Sequence, residues 1–290
     1  MELHQLRYLV AVVDHGSFTA AAEALHVSQS GVSAQVAKLE RELGHRLLDR
    51  TGRAVRPTPE GSALLPHARA AGAAIEAIRA AADDLTGVVT GHVRVGTVIG
   101  CTIPGYLAGF ADFRRAHPGV TVEVAEGNSD DLLADLRAGR LDVILLAHAE
   151  PLPPEVVAHT LIREPLVAVV PRDHAWAARS AVTCADLARE TVLCLPPGTG
   201  VRTALEITCA AERSAVAPAV QAHSPEALLA LADRGAGVAI LTESMAGGRP
   251  GSTTIPLARS ARTHLSLATR TAPSAAAGAM ARALLAHLAG

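Results

Sequence analysis

Apolar positions over the first 57 residues recur at helical spacing and are cut by abrupt punctuation. Leu3, Leu6, Leu9, Val10 and Val13 mark a first helix that stops at His15-Gly16. Ser17 suits the N-cap of a second helix, from Phe18 to about Leu25, because its hydroxyl can accept an orphan amide. After a tight turn at His26-Val27, Ser28 caps a third helix to about Leu43, and Gly44 ends it. On that helix Val32, Val36, Leu39 and Leu43 form one narrow apolar stripe, opposite Ser30, Ser33, Ala34, Lys38 and Arg41. A brief hairpin signal follows, 46–50 and 53–56 around Thr51-Gly52. Thr58, then Pro59 at the first helical position and Glu60 in the first turn, open a long helix. Along it Leu64, Ala68, Ala71, Ile75, Ile78, Ala82 and Leu85 alternate in steps of four and three. So narrow and Ala-rich a seam suits close pairing with a second helix, which makes these seven the dimerisation candidates. Pro66 is expected to bend the second turn.

Past a linker at 86–91 the pattern changes. Strand patterns at 92–98, 120–126 and 141–147 alternate with helical ones at 103–117 and 129–138, which specifies a parallel, right-handed α/β arrangement. A second series places strands at 166–170, 191–195, 217–221 and 238–241, with helices at 202–213 and 225–234. A further strand at 264–269 and a helix at 274–288 close the chain. The expected fold class is therefore α/β overall, with a mainly α segment at 1–58, a linker helix at 59–88 and a two-lobed α/β domain at 89–290. Lobe I takes about 91–161 and 265–290, and lobe II about 162–264.

Composition narrows the classes. With 49% apolar residues, the 290-residue chain can bury a sizeable core, although aromatics supply only 2%. A net charge of −2 excludes a protein basic over its whole surface. It hides a local excess: between Val32 and Arg56, Lys38, Arg41, Arg46, Arg50, Arg53 and Arg56 outnumber Glu40, Glu42 and Asp49. No apolar run is long enough for a membrane span and the amino terminus lacks a secretory layout, so a cytoplasmic protein without a membrane partner is expected. Cys101, Cys184, Cys194 and Cys209 include no C-x-x-C pair and read as small core hydrophobes in a reducing compartment.

Three short helices in this order have the shape of a helix-turn-helix, whose second helix enters the major groove. The residues go further. Ser17-Phe18-Thr19-Ala20-Ala21-Ala22-Glu23-Ala24-Leu25, Ser28-Gln29, Val32-Ser33, Gln35-Val36, Leu39-Glu40, Leu43-Gly44 and Leu47-Leu48-Asp49-Arg50-Thr51 strongly resemble the LysR-type transcriptional regulators. The motif is dense over 1–65, and domain order agrees over the whole chain. The resemblance implies a winged helix-turn-helix reading double-stranded DNA at a pseudo-palindromic operator. Ser28, Gln29, Ser30 and Ser33 lie in the first turns of the recognition helix, where glutamine can bond adenine and serine either base or phosphate. Gln35, Lys38 and Arg50 complete the DNA-binding set, and Arg53 matches the family's wing arginine, which enters the minor groove. The chain departs from the usual motif at Ser30-Gly31, where many members have Pro-Ala, at Ala34 in place of arginine, and at Leu48 in place of phenylalanine. Ala34 cannot make that side-chain contact, so base preference is expected to relax or shift at one position.

Residues 91–290 resemble the family's periplasmic-binding-protein-like effector domain through His92-Val-Arg-Val-Gly96, Phe113-Arg-Arg-Ala-His-Pro118, Leu141-Asp-Val143 and Gly235-Ala-Gly-Val-Ala239. Ligands in such folds lie outside the carboxyl ends of strands. That rule selects Ile99, Gly100, Cys101, Thr102, Asn128, Ser129, His148, Thr199, Arg202 and Ser224 as effector-binding candidates. Free amides at helix N-termini suit a carboxylate, and Arg202 would add a bidentate clamp, while Thr199 and Ser224 read equally well as plain N-caps. The poverty in aromatics favours a compact polar ligand. Cys101 with His148 would permit nucleophilic chemistry, but no acidic residue orients them, and the 13 histidines show no metal-ligand spacing. Peroxide-sensing members keep a reactive cysteine in the turn after a strand, with a partner on the next helix. Cys209 lies near the partner position here, but the turn holds Gly198, Thr199 and Gly200, so sensing by that route is not expected. The expected function is effector-modulated transcriptional regulation without cofactor, metal or catalysis, by a homodimer or homotetramer that also meets RNA polymerase. The alternatives are a cytoplasmic solute-binding protein and a cleft enzyme.

Overall fold

In the computed structural model, which describes residues 1–51, 54–84, 89–99, 101 and 103–288, the chain opens with α1 (Leu3–His15), α2 (Phe18–Leu25) and α3 (Gln29–Leu43). The expected caps are in place. Ser17 Oγ accepts the Ala20 amide at 3.4 Å, Ser28 Oγ accepts the Gly31 amide at 3.1 Å, and Gly16 and Gly44 end α1 and α3 in left-handed conformations. Leu9 and Val12 of α1 pack on Ala21 and Ala22 of α2 and on Val32, Val36 and Leu39 of α3. The hairpin shrinks to β1 (Leu48–Asp49) and β2 (Arg56–Pro57), paired antiparallel. Its arginine-rich flanks offer no apolar face that a longer ladder would bury.

The long helix α4 (Pro59–Asp84) is capped by Thr58, whose Oγ1 accepts the Gly61 amide at 3.0 Å and donates to the Arg46 carbonyl at 2.7 Å. Gly61 has to be glycine, since a Cβ there would stand 2.0 Å from the Leu47 carbonyl oxygen. The start of the expected pairing seam is used inside the chain. Leu64 and Leu65 join the core of the first three helices, Ala68 is buried, and Arg69 pairs with Asp14 of α1, Nη1 to Oδ2 at 3.0 Å. Leu64, half-buried, thus also packs against the core within its own chain. Farther along, Ala71 and Ile75 are half-buried and Ile78 is 70% exposed. The helix continues unbroken through Pro66. The side chain of Ala82, and Leu85 altogether, lie outside the described residues, as do Gly52, Arg53, Gly100 and Thr102.

Beyond α4 come β3 (Gly91–Val98), α5 (Pro104–Ala116), β4 (Val120–Gly127), α6 (Ser129–Arg137), β5 (Val143–His148) and β6 (Val156–Pro171). They are followed by α7 (Cys184–Leu187), β7 (Val192–Cys194), α8 (Gly200–Ala211), β8 (Val220–Gln221), α9 (Pro225–Ala232), β9 (Val238–Thr242) and α10 (Glu243–Ala246). The last elements are β10 (Ser252–Pro256), β11 (Arg262–Arg270) and α11 (Ala275–Leu288). As the alternating pattern predicts, β3 lies parallel between β4 and β5. β11 pairs antiparallel with β5 on one edge and with the first half of β6 on the other. The second half of β6 pairs antiparallel with β9 and β10, and β7 lies parallel between β9 and β8. One 16-residue strand thus serves both lobes. Its first half escapes the sequence pattern because His159, Thr160, Arg163 and Glu164 interrupt the apolar positions and most of it is exposed.

Each lobe has its own core. In lobe I, Val143 and Leu145 face Phe113, Met280 and Leu284, while the alternate residues Ile144 and Leu146 face Leu132 and Leu136 of α6. That period of two puts helices on both faces of β5. Asp142 ties the strands together by accepting from the Arg94 amide at 2.9 Å and from Arg270 Nη2 at 3.1 Å. Lobe II buries Leu166–Val170 and Val238–Leu241 around Leu205 and Leu228, and Cys184, Cys194 and Cys209 lie in this core. Among the described residues, no helix is long and apolar enough to cross a membrane.

Candidate DNA interface and interlobe cleft

Val32 and Val36 seat α3 on the core, and the opposite face of the helix is turned to solvent. Gln29, Ser30 and Lys38 are exposed, Ser33 is half-buried at the edge of the same face, and the helix dipole puts partial positive charge at this end. Ser28 is occupied by its cap, and its Oγ also accepts from the Ser30 hydroxyl at 3.4 Å. Two of the expected contacts have partners within the chain. Gln35 Oε1 accepts from Nε2 of the fully buried Gln5 at 3.0 Å, which ties α3 to α1. Arg50 Nη2 donates to Glu40 Oε2 at 3.0 Å, and its guanidinium lies 4.8 Å from the centre of the Phe18 ring. The other Glu40 oxygen accepts the Leu47 and Leu48 amides at 2.8 and 3.2 Å. Glu40 therefore fixes the base of the wing, a role that no local pattern marks because its partners lie seven to ten residues away. Arg41, Arg46 and Arg56 are exposed around this surface.

Between the lobes the carboxyl ends of β3, β4, β5 and β7 converge on the amino ends of α6 and α8. The two helix ends meet directly: the Asp130 amide donates to the Gly198 carbonyl at 3.2 Å across the seam. A Cβ on Gly200 would lie 2.6 Å from the Ala147 carbonyl carbon and 2.7 Å from its oxygen, so glycine alone lets α8 abut β5. Beside this contact is a cavity of about 70 Å³, room for roughly five water-sized groups. Ile99, Asn128, Ser129 and Thr199 line it, as expected. Sequence reasoning missed Val98, Leu195, Val201, His223, Met245 and Leu265, which make the wall mostly apolar. Val98, Val201 and His223 stand next to Ile99, Arg202 and Ser224, positions the strand-end rule selects, and that adjacency is their available signal.

The polar candidates are largely engaged. Asn128 Oδ1 accepts the Asp131 amide at 2.9 Å, and Ser129 Oγ accepts the Ala147 amide at 3.1 Å. Thr199 donates to the Pro196 carbonyl at 2.8 Å and caps α8 at the Arg202 amide, and Ser224 caps α9 at the Ala227 amide, 3.3 Å away. The N-cap reading of Thr199 and Ser224 is thus realised. Arg202 is not among the residues that line the cavity, and its Nε donates to Glu206 at 2.7 Å, one helical turn along. Cys101 is half-buried beside the core of lobe I. His148 faces a neighbouring cavity of about 150 Å³, with Nδ1 donating to the Glu150 carbonyl at 2.7 Å and Nε2 3.0 Å from Ser266 Oγ. It stacks on His264 with ring centres 5.2 Å apart, and burial together with that neighbour pushes the His264 pKa below its ordinary value.

Residues 3–62 match the model of the bacterial regulatory helix-turn-helix protein, lysR family, and residues 86–289 match that of the LysR substrate binding domain. Over 208 residues the chain is 35% identical to the RuBisCO operon transcriptional regulator of Allochromatium vinosum, covering 71% of this chain and 68% of that protein. Over 250 residues it is 32% identical to YnfL, an uncharacterized HTH-type transcriptional regulator of Escherichia coli, covering 84% and 83%. Among solved structures it is similar to a full-length OxyR variant from Pseudomonas aeruginosa, with a TM-score of 0.76 and 27% identity over 98% of this chain and 95% of that one. The reader, the linker helix and the two-lobed sensor are those of a DNA-binding transcriptional regulator, and the chain belongs to the LysR family.

Proposed function

We propose that the protein reads a pseudo-palindromic operator with two copies of α3, brought together by the outer part of α4, and that a small effector in the interlobe cleft shifts how the copies sit on DNA. The observation that carries this reading is the exposed polar face of α3. Gln29, Ser30 and Lys38 are exposed on it, whereas Gln35 is tied to Gln5 and Arg50 to Glu40. Ile78 supports the pairing, because a large aliphatic side chain exposed on a helix suits a second helix. Ala71, Ile75, Ala82 and Leu85 belong to the same proposed seam, Ala68 borders it, and Arg53 to the proposed wing contact. On this reading 1–58 read DNA, 59–88 pair the copies and 89–290 bind the effector. The effector is compact and more apolar than a carboxylate, since the cavity wall is mostly apolar, its Asn128, Ser129 and Thr199 are engaged, and Arg202 pairs with Glu206 outside it. The protein acts in the cytoplasm as a homodimer or homotetramer, meets RNA polymerase at the promoter, and needs no cofactor or catalytic step.

A gel shift on DNA upstream of its own coding region tests the reading. Binding is expected to weaken by on the order of 10³-fold between about 50 and 200 mM salt, because phosphate contacts release counterions. Gln29→Ala with Ser33→Ala is expected to erase sequence preference while leaving that salt dependence. Absent or salt-insensitive binding leaves a solute-binding protein as the better reading. A thermal-shift screen comparing small alcohols and amides with small carboxylates tests the effector class, and stabilisation by the carboxylates alone refutes it.

A further inference from the structure

Three of the four cysteines stand in the core of lobe II, and two of them touch. Cys184 is the first residue of α7 and Cys209 sits in the last turns of α8; their Sγ atoms are 2.7 Å apart and both side chains are buried. A disulfide bond is about 2.05 Å long, so closure asks for well under 1 Å of movement. The backbone holds the two ends together at the same point, because the Cys184 amide donates to Glu212 Oε2 at 3.0 Å, just past Cys209. Thr183 and Asp186 cap the short helix reciprocally and fix where Cys184 begins. This is a different pair from the turn-and-helix arrangement considered above, whose turn position is filled by Gly198, Thr199 and Gly200.

We propose that Cys184 and Cys209 are an oxidation site, closing to an intrachain disulfide by exchange with a low-molecular-weight disulfide. Cys209 Sγ, once deprotonated, attacks one sulfur of the oxidant; the oxidant's S–S bond breaks and its other sulfur leaves as a thiolate that takes up a proton. Cys184 Sγ then attacks Cys209 Sγ and expels the remaining sulfur as a second thiol. Two electrons and two protons pass to the oxidant. Burial pushes both thiols up, so little thiolate forms and exchange proceeds slowly, through opening of four-residue α7. The closed loop, 184–209, contains β7 and the 196–200 turn seated against β5, so oxidation fixes the base of the element on which the lobes meet. Cytosolic disulfides are mostly switches rather than permanent staples, which fits a site that closes only when the surroundings oxidise.

The test equilibrates the full chain in dithiothreitol mixtures of rising oxidised fraction, quenches in acid, alkylates after denaturation and maps the peptides. A parallel sample is refolded under the same oxidising mixtures, so that burial cannot hide the pair. The expected result is one linked peptide joining Cys184 to Cys209, with Cys101 and Cys194 alkylated. The melting temperature should rise by roughly 5–10 °C on oxidation. Cys184→Ala and Cys209→Ala should each remove both signals. Four alkylated cysteines by both routes, a link between any other pair, or a linked form that melts where the reduced one does would overturn the proposal.

Discussion

Replacing Gly200 by alanine probes the seam between the lobes most directly. The added Cβ would stand 2.6 Å from the Ala147 carbonyl carbon, 2.7 Å from its oxygen and 2.8 Å from the His148 nitrogen, and all three are backbone atoms that no rotamer change can move. Bringing the closest contact to the ordinary 3.4 Å shifts α8 away from β5 by about 0.8 Å. Overpacking of this kind costs about 1–3 kcal/mol. The same displacement breaks the 3.2 Å hydrogen bond from the Asp130 amide to the Gly198 carbonyl, worth about 1 kcal/mol. The closed arrangement should therefore lose about 2–4 kcal/mol, which corresponds to roughly 30- to 700-fold weaker binding of any ligand that needs it. Hydrogen exchange read by mass spectrometry is the assay, with the peptide containing Asp130 expected to exchange faster in the variant. Gly72→Ala is the control: no atom lies within 4 Å of that Cβ, and the helical change should stabilise α4 by about 0.5–1 kcal/mol. Wild-type exchange around Asp130 together with unchanged stability in Gly200→Ala would refute the close approach.

Three further outcomes follow from particular contacts. Glu40→Ala strips partners from the Leu47 and Leu48 amides and from Arg50, so it should cost about 2–4 kcal/mol and weaken DNA binding through the wing; an unchanged melting curve contradicts that role. Ile78→Glu changes a side chain that is 70% exposed, so the single chain should fold as before while sedimentation shows a smaller assembly, and an unaltered mass places the pairing contact elsewhere. Burial first, and His148 second, lower the His264 pKa, so the folded protein binds that proton less readily than the unfolded chain. Its contribution to stability is full above the unfolded value of about 6.5 and is lost as the pH falls below it. His264→Gln should make the decline in melting temperature between about pH 7 and pH 5 shallower, and a parallel decline in both proteins contradicts it.

The reader was legible almost residue by residue. Its stops and starts are local chemistry, and Ser17, Ser28, Gly16 and Gly44 act on neighbours a few positions away. The βαβ alternation of lobe I was equally plain, because Val143–Leu146 alternate between two buried faces. Less was visible where one residue answers to two demands. Leu64 keeps the spacing of a pairing seam yet belongs to the reader's core, since heptad spacing records that a face is apolar and not what covers it. Among the candidates at strand ends, Thr199 and Ser224 take the N-cap role their residue types allow, Asn128 caps a helix as well, and Arg202 pairs with Glu206.

By itself the sequence determined most of the helices and strands, the caps, the exposed polar face of α3 and the family, because each of these is written within a few turns of chain. Only the tertiary structure decided that β6 joins both lobes, that Gly200 admits α8 against β5, that His148 meets Ser266 across 118 positions, and that Cys184 touches Cys209 across 25. Such contacts depend on how whole elements pack. The free energy that selects one packing is summed over every buried surface, and no short window of residues contains that sum.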